Sequence, residues 1–318
     1  MRGWLIATLY LLTSCTDSFT NSSSLVAVTS QATTVATKAM AVALPTLPSC
    51  PLTNYSPTNA LSIAWTGNEF LTDKDPFRVH GIFLNEEVMS GTFGDLVDAL
   101  RLIADAGFNT ITVTLNVEQD TNALDRLFAL AAEYRLRIIF SISTDQEIAD
   151  IVVRYFNEPT LLAWEIMRQE PDLQLALVQL SNTRITIRTC NQHPIIAAWE
   201  YDLISTAPLV DILGVVHGQD YESLRQQFAN VTAATDKPIY LARIGYDANI
   251  VGDRGQRSLV FQALEEAANY QALGWTVFSA FDGNNDAMGI WDKNSKPRLA
   301  LEAVQHIIAR DEAFTPSS

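Results

Sequence analysis

Residues 93–115 read FGDLVDALRLIADAGFNTITVTL and join a helical pattern directly to a strand pattern. The first part, Phe93–Ala106, places apolar residues on one face of a helix: Leu96, Ala99, Leu100 and Ile103. The second part, Asn109–Leu115, is short and β-branched, which is typical of a strand. The stretch therefore predicts one helix–strand unit, and the rest of the chain repeats it.

The same alternation predicts eight strand–helix units. The strand candidates are Phe77–Leu84, Asn109–Leu115, Arg137–Ser143, Leu161–Met167, Pro194–Trp199, Ile212–His217, Ile239–Ile244 and Trp275–Phe281. Helical spacing recurs in Phe93–Ala106, Ala123–Tyr134, Gln146–Tyr155, Leu173–Thr189, Tyr221–Val231, Gly255–Ala272 and Pro297–Ala309. After the fifth strand only Tyr201–Ser205 is available. Strands nearly continuous in apolar residues indicate a parallel sheet that is buried on both faces.

Eight such units over about 250 residues predict an α/β fold, a (β/α)8 TIM barrel, which we place at residues 58–318. A short β-hairpin, Leu61–Trp65 with Glu69–Asp73, precedes it. An open, doubly wound sheet is the alternative. That fold favours a glycine-rich phosphate loop, and the sequence contains neither GxGxxG nor GxxxxGK(S/T).

Composition excludes several classes of protein. The 318 residues carry 21 Lys and Arg against 36 Asp and Glu, a net charge of −15, whereas nucleic-acid binders need basic patches. The hydrophobic fraction of 48% is enough for a large core. Three cysteines are too few for a disulfide scaffold.

The amino terminus has the layout of a secretory signal over residues 1–14, with a short apolar run behind Arg2. Leu12-Thr13-Ser14-Cys15 resembles a bacterial lipobox, so that Cys15 is the expected lipidation site. An ordinary signal peptide with an incidental cysteine is the alternative. Residues 15–57 are rich in Ser, Thr, Ala and Pro and predict a flexible stalk. We expect a secreted lipoprotein whose only attachment to the bacterial membrane, on the extracytoplasmic face, is its acyl chains.

Lipidation of Cys15 leaves Cys50 and Cys190. A secreted protein lies in an oxidising compartment, where two cysteines can pair. The sequence leaves open whether they do.

Chemistry in a (β/α)8 barrel lies where the strands end. Polar and aromatic residues follow the predicted strands, and the candidate binding residues are Asn85, Glu86, Asn116, Gln169, Glu200, Tyr201, His217, Arg243, Tyr246, Asp282 and Trp291. Glu170 is the candidate catalytic acid. Because amides and acids bind hydroxyls and aromatic rings stack on sugars, this mixture predicts a polysaccharide or oligosaccharide as partner.

Motifs for other chemistry are missing. The sequence has no HExxH, GxSxG or paired CxxC, and Ala287 stands where a calcium loop needs glycine. We therefore expect no metal and no cofactor.

Several segments occur in the order found in one family of barrels. They are Phe70–Gly81, Ile103–Thr110, Leu124–Leu127, Val153–Pro159, Leu161–Glu165, Gly289–Asp292 and Lys296–Arg298. This order resembles the cellulase-like glycoside hydrolases, family 5 and its relatives in the large retaining (β/α)8 clan. The resemblance covers roughly residues 60–310 and implies two catalytic glutamates, one ending the fourth strand and one ending the seventh.

The resemblance breaks down at those two positions. Aligning Lys237–Tyr246 with the family places Arg243 at the nucleophile, and a guanidinium cannot form a glycosyl ester. At the fourth strand one alignment replaces the family's Asn-Glu by Arg168-Gln169, whereas a shift of one residue keeps Glu170 as the acid. Retaining hydrolysis needs both carboxyl groups.

Each of these residues also has a structural interpretation. Arg243 either pairs with a mouth carboxylate such as Glu170 or Glu200, or contacts ligand. Glu170 either stabilises the start of a helix or binds ligand. His217 is better explained as a hydrogen-bonded wall residue than as a catalyst. Trp164 is expected in the core, whereas Trp199 and Trp291 are candidates for stacking on sugars.

Three functions remain open. The first is a surface-anchored barrel that binds carbohydrate and has lost most retaining glycosidase activity. The second is an active glycosidase on a β-linked polysaccharide with Glu170 as acid and a relocated carboxylate: Glu200, Asp202, Asp247 or Asp282. The third is an interaction module with protein partners at the cell surface and a blocked barrel mouth.

Overall fold

The computed structural model describes residues 50, 54–73, 75–84, 88, 95–115, 120–143, 147–217, 220–283 and 286–314. The predicted signal, Cys15 and residues 16–49 of the predicted stalk lie outside these residues, as do Asn85, Glu86 and Asn116. Among the helices described, none has the length and apolar character needed to cross a membrane.

The predicted barrel is confirmed. A small antiparallel sheet comes first and consists of β1 (Ile63–Trp65), β2 (Phe70–Thr72) and β3 (Asp75–Pro76), one short strand more than the predicted hairpin. The barrel strands are β4 (Val79–Leu84), β5 (Thr110–Thr114), β6 (Arg137–Ser143), β7 (Leu161–Met167), β8 (Ile195–Trp199), β9 (Ile212–His217), β10 (Ile239–Ile244) and β11 (Gly274–Val277). They close in the order β4 to β11, and every barrel pairing is parallel.

Helices follow most strands. They are α1 (Leu96–Asp105), α2 (Thr121–Glu133), α3 (Ala149–Arg154), α4 (Leu173–Cys190), α5 (Tyr221–Ala234), α6 (Ala248–Asn269) and α7 (Leu299–Phe314). Only a 3-10 turn, Leu203–Thr206, follows β8 within the described residues, where the sequence shows its weakest helical pattern. Aspartates cap five of the described helices by accepting backbone N–H bonds: Asp95, Asp120, Asp172, Asp220 and Asp247.

Most boundaries lie within three residues of the sequence prediction, and two of the larger differences have a structural reason. Helix α6 begins at Ala248 rather than Gly255, because the Asp247 side chain accepts the N–H of Asn249 and starts the helix early. Gly252, with φ of 73°, then interrupts the helical geometry. Strand β11 ends at Val277, four residues before the predicted end at Phe281, and Phe281 instead forms an isolated bridge to Trp291.

Apolar side chains form two layers. The larger layer packs the outer faces of the strands against the helices and contains Trp164, as expected. The smaller layer fills the barrel interior with residues such as Ile139, Ile196 and Tyr240. Alternate residues of a strand point to opposite faces, so the two layers use neighbouring positions of the same strands.

A polar chain crosses the interior. The hydroxyls of Tyr240 and Thr276 are hydrogen-bonded, and Thr276 lies 3.2 Å from the hydroxyl of Thr112. The missing side chain of Gly81 leaves the room that Tyr240 and Thr276 occupy. The interior of this barrel is therefore partly polar below its mouth.

The described N-terminal segment is fixed to the amino-terminal end of the barrel. Cys50 and Cys190, whose pairing the sequence left open, form a disulfide with a Cα–Cα distance of 5.4 Å. Glu158, fully buried just before β7, accepts hydrogen bonds from the Tyr55 hydroxyl (2.6 Å) and from the Thr58 hydroxyl (2.6 Å) and N–H (2.9 Å). Burial favours the neutral carboxyl, but these hydrogen bonds outweigh it and lower the pKa of Glu158.

Candidate functional site

A pocket of about 570 Å³ opens at the carboxyl ends of β7 to β10. We call it the mouth pocket, and its lining residues are Met167, Arg168, Gln169, Glu170, Pro171, Ala198, Trp199, Glu200, Tyr201, Asp202, Val216 and Arg243. Five of the predicted site residues are therefore together in one cleft: Gln169, Glu170, Glu200, Tyr201 and Arg243. This is the end of the barrel at which the fold places its chemistry.

Arg243 reaches the barrel interior because of a β-bulge. The pairing of β10 with β9 passes from Leu241 opposite Val215 to Arg243 opposite Val216, so β10 contains one extra residue. Ala242 lies in the interior layer, and regular alternation would send the next side chain outward. The bulge instead turns Arg243 towards the mouth pocket.

The guanidinium of Arg243 is hydrogen-bonded to side chains of the barrel interior. Its Nη2 donates to Oε1 of Glu165 at 3.0 Å and to the Ser141 hydroxyl at 2.8 Å. The Ser141 hydroxyl donates to the same Glu165 oxygen at 2.7 Å. The guanidinium also lies over the ring of Phe83, 4.8 Å from its centroid. Strands β4, β6, β7 and β10 thus jointly orient one cation.

Glu165 is the partner of Arg243, which corrects the expectation of Glu170 or Glu200. Glu165 is 0% exposed, and its second oxygen has no hydrogen-bond partner among the described residues. The Arg243 side chain is 19% exposed. The pair therefore has its carboxylate sealed in the barrel and its cation at the pocket surface.

Arg168 ties the rim of the pocket together. It donates from Nη1 to Asp202 at 2.9 Å, from Nε to the carbonyl of Glu170 at 2.6 Å, and from Nη2 to the carbonyl of Pro171. Its guanidinium covers the Trp199 ring at 5.3 Å. All three of its nitrogens are engaged, so Arg168 fixes the loops after β7 and β8.

The remaining rim residues are polar and accessible. Gln169, Glu200 and Tyr201 are exposed, Tyr201 to 64%. A side-chain hydrogen bond with Glu200 raises the pKa of the Tyr201 hydroxyl. Glu170 is half-buried and accepts the N–H of Asp172 at 2.9 Å, next to the start of α4. This is the structural role that the sequence offered for Glu170.

Other predicted site residues do not line the mouth pocket. His217 is buried with its Nε2 2.7 Å from the carbonyl oxygen of Asp220, which agrees with a wall residue. Burial raises the pKa of Tyr246 to about 12, and its hydroxyl has no partner among the described residues. Asp282 is buried and engaged by Arg298 at 2.6 Å.

Sugar stacking by the predicted tryptophans is not supported. Trp291 is 1% exposed and packs near Phe108 and Phe281, with ring centroids 6.2 and 5.8 Å apart. Trp199 lines the pocket but is 1% exposed and lies under Arg168. Neither ring presents a free face to a ligand. Within the described residues there is also no cluster of side chains suited to a metal ion.

Sequence reasoning missed the supporting residues Glu165 and Ser141. The available signal was a charged residue inside an otherwise apolar strand, because a carboxylate there needs a buried partner. A register shift between β6 and β7 near Ile138 places Ser141 opposite Glu165. That register is a property of the closed barrel and cannot be derived from the strand taken alone.

Comparisons with known proteins identify similar folds. The sequence matches no protein-family model and no curated protein. Solved structures of glycoside hydrolases with TIM barrels are similar. A GH2 β-galacturonidase from Eisenbergiella tayi bound to galacturonate has a TM-score of 0.61 and 16% identity, over 78% of this chain and 54% of the enzyme.

Two further structures show the same likeness. A β-glucuronidase from Ruminococcus gnavus in complex with D-glucuronic acid has a TM-score of 0.64 and 14% identity, over 78% of this chain and 52% of the other. A GH5 subfamily 18 protein from Bifidobacterium longum has a TM-score of 0.60 and 10% identity, over 76% of this chain and 80% of the other. The chain spans about half the length of the GH2 enzyme and the β-glucuronidase. At these identities the likeness concerns the fold alone: the chain is a TIM barrel similar in fold to the barrels of these solved structures.

Proposed function

We propose that this protein is a surface-anchored, glycoside-hydrolase-like barrel that binds a glycan in the mouth pocket and has little or no retaining hydrolase activity. The observation that carries the proposal is Arg243, a cation paired with Glu165, at the position that aligns with the nucleophile of the cellulase-like family 5 enzymes. An arginine stays protonated and cannot attack an anomeric carbon.

Glycan binding is supported by the lining of the pocket. Gln169, Glu170, Glu200 and Tyr201 offer amide, carboxylate and phenol groups to sugar hydroxyls. Similar barrels were solved with galacturonate, with D-glucuronic acid and with Manβ1-4GlcNAc. An open pocket in the described residues also favours ligand binding over the interaction module, which requires a blocked mouth.

The decisive experiment measures binding and hydrolysis on the same preparation. The full chain, purified in detergent, is tested against β-glucan, mannan, xylan and acidic polysaccharides for binding and for release of reducing sugar. We expect binding to at least one glycan without robust turnover. Turnover that requires Glu170 and one of Glu200, Asp202, Asp247 or Asp282 would establish the active glycosidase instead. Absence of binding to every glycan would leave the interaction module.

Surface anchoring is proposed from the amino terminus. The apolar run before Leu12-Thr13-Ser14-Cys15 supports export and lipidation, and the Cys50–Cys190 disulfide suits an oxidising compartment. In a bacterial host, metabolic labelling with an alkyne-tagged fatty acid should mark the wild-type chain in the membrane fraction. Cys15→Ser should lose the label and leave the membrane fraction, whereas unlabelled wild type would contradict the anchor.

A further inference from the structure

The floor of the mouth pocket offers uncommitted donors of the Arg243 guanidinium, of which Nε is buried. Nη2 of Arg243 is bound to Glu165 and Ser141, whereas its Nη1 makes no hydrogen bond with any residue that the structure describes. The other arginine of the pocket, Arg168, has all three nitrogens engaged. A ligand that reaches the floor therefore meets the free end of the Arg243 guanidinium.

The ion pair of Arg243 and Glu165 has its positive end towards the mouth pocket and its negative end in the core. Glu165 is 0% exposed and lies on the Nη2 side, 3.0 Å away, while the Arg243 side chain is 19% exposed and lines the pocket. The ligand is thus closer to the positive end of the pair than to the negative end. Because Glu165 is buried, this charge asymmetry is screened less than that of an ion pair at an open surface.

The rim of the mouth pocket carries negative charge, in contrast to the positive charge at its floor. Glu170 and Glu200 are accessible carboxylates, and Asp202 is already paired with Arg168. Carboxylates accept bonds from hydroxyls and repel anions. An anionic group is therefore favoured only at the floor, whereas hydroxyl groups are favoured around it.

From this distribution we propose that the mouth pocket binds an acidic sugar, a uronic acid within a glycan, with its carboxylate on Nη1 of Arg243 and its hydroxyls on Gln169, Glu200 and Tyr201. The inference rests on the proposed glycan-binding function and names the class of glycan. Glu165 and Ser141 act as positioning residues, because they hold Nη2 and leave Nη1 directed at the ligand.

The test compares each acidic sugar with a neutral partner of the same ring. Trisaccharides of galacturonic, glucuronic and mannuronic acid are titrated calorimetrically into the full chain, and each is paired with its carboxyl-reduced counterpart. A hydrogen bond to a charged group corresponds to about 10-fold or more in affinity. We expect at least one acidic trisaccharide to bind about 10-fold tighter than its neutral partner, with the preference falling at high salt.

Variants connect the preference to Arg243. Arg243→Gln should bring the ratio of acidic to neutral affinity close to one. Because this change leaves Glu165 without its partner, the double variant Arg243→Gln/Glu165→Gln repeats the test with a neutral, hydrogen-bonding pair. Arg225→Gln removes one exposed arginine from α5 and should leave the ratio unchanged.

Equal binding of acidic and neutral trisaccharides would overturn the inference, as would a preference that survives both Arg243 variants. If neutral glycans alone bind, the proposed function stands and the acidic specificity fails. If no glycan of either set binds, both fail.

Discussion

Nη2 of Arg243 lies 3.0 Å from Oε1 of Glu165, so that one ion pair joins β10 to β7 across the interior of the barrel. Its carboxylate is fully buried, and the hydroxyl of Ser141 bonds both partners. The pair thus belongs both to the core of the fold and to the floor of the mouth pocket.

Breaking this pair should destabilise the protein. Arg243→Met leaves Glu165 as an uncompensated buried charge, and we expect a loss of about 3 to 5 kcal/mol in the free energy of unfolding. Arg243→Met/Glu165→Met removes both charges and should recover most of that loss. Urea denaturation of Arg243→Met, Glu165→Met and the double variant measures the coupling energy between the two side chains. If the losses in unfolding free energy of the two single variants simply add up in the double variant, the two side chains do not interact.

Glu158 should make stability depend on pH in the acidic range. Its pKa is lower in the folded protein than the usual value of 4.5, so its contribution is present above that value and is lost as the pH falls through the folded pKa. At pH 7 we expect Glu158→Gln to be about 2 to 4 kcal/mol less stable than wild type. The difference should shrink below pH 4.5. Glu133→Gln, at an exposed position, is the control. A stability difference between Glu158→Gln and wild type that stays constant with pH would contradict the lowered pKa of Glu158.

The disulfide should stabilise the fold by reducing the conformational entropy of the unfolded chain. Cys50 and Cys190 are 140 residues apart, and closing so long a loop is worth about 2 to 5 kcal/mol. Cys50→Ser/Cys190→Ser should lower the denaturation midpoint accordingly. Dithiothreitol should bring wild type to the level of the variant and leave the variant unchanged. Equal midpoints for oxidised wild type and variant would exclude this contribution.

We expect Asp282 to stabilise the folded protein, although the sequence indicated a ligand-binding role. It accepts from Nε and Nη2 of Arg298 at 3.2 and 2.6 Å and from the N–H of Gly289 at 3.1 Å. We expect Asp282→Ala to cost about 2 to 4 kcal/mol in thermal or urea unfolding.

Asp253 provides the matched control for that experiment, because it pairs with the same Arg298 but is half exposed. Asp253→Ala should cost less than about 1 kcal/mol. Similar costs for the two alanine variants would show that burial does not decide the strength of these pairs.

Much of the fold follows from local patterns. Apolar residues at helical spacing, as in α1, alternate with short apolar strands such as β6, and this repetition is the pattern of a (β/α)8 barrel. The weak pattern after β8 predicted the weakest link, and the residues described there form only a 3-10 turn. The ends of α6 and β11 were harder to predict, because capping by Asp247 and the bridge from Phe281 to Trp291 involve side chains and long-range contacts.

The candidate site was predicted only in part. Counting strand ends brought Gln169, Glu170, Glu200, Tyr201 and Arg243 to one cleft, since parallel strands of a barrel end on the same side. The same count placed Trp291 and Asp282 at the mouth, where packing and an ion pair bury them. Distance along the chain does not show whether a side chain at a strand end faces the pocket or the core.

By itself, the sequence determined that this chain forms eight barrel strands, most of them followed by a helix, and that an arginine lies near the end of the seventh strand, because both are properties of residue type and spacing. Only the tertiary structure decided where that arginine points and what balances its charge. A bulge in β10 turns Arg243 inward, and closure of the barrel brings Glu165 within 3.0 Å. Strand register and barrel closure depend on contacts between segments far apart in the chain, and no local pattern encodes them.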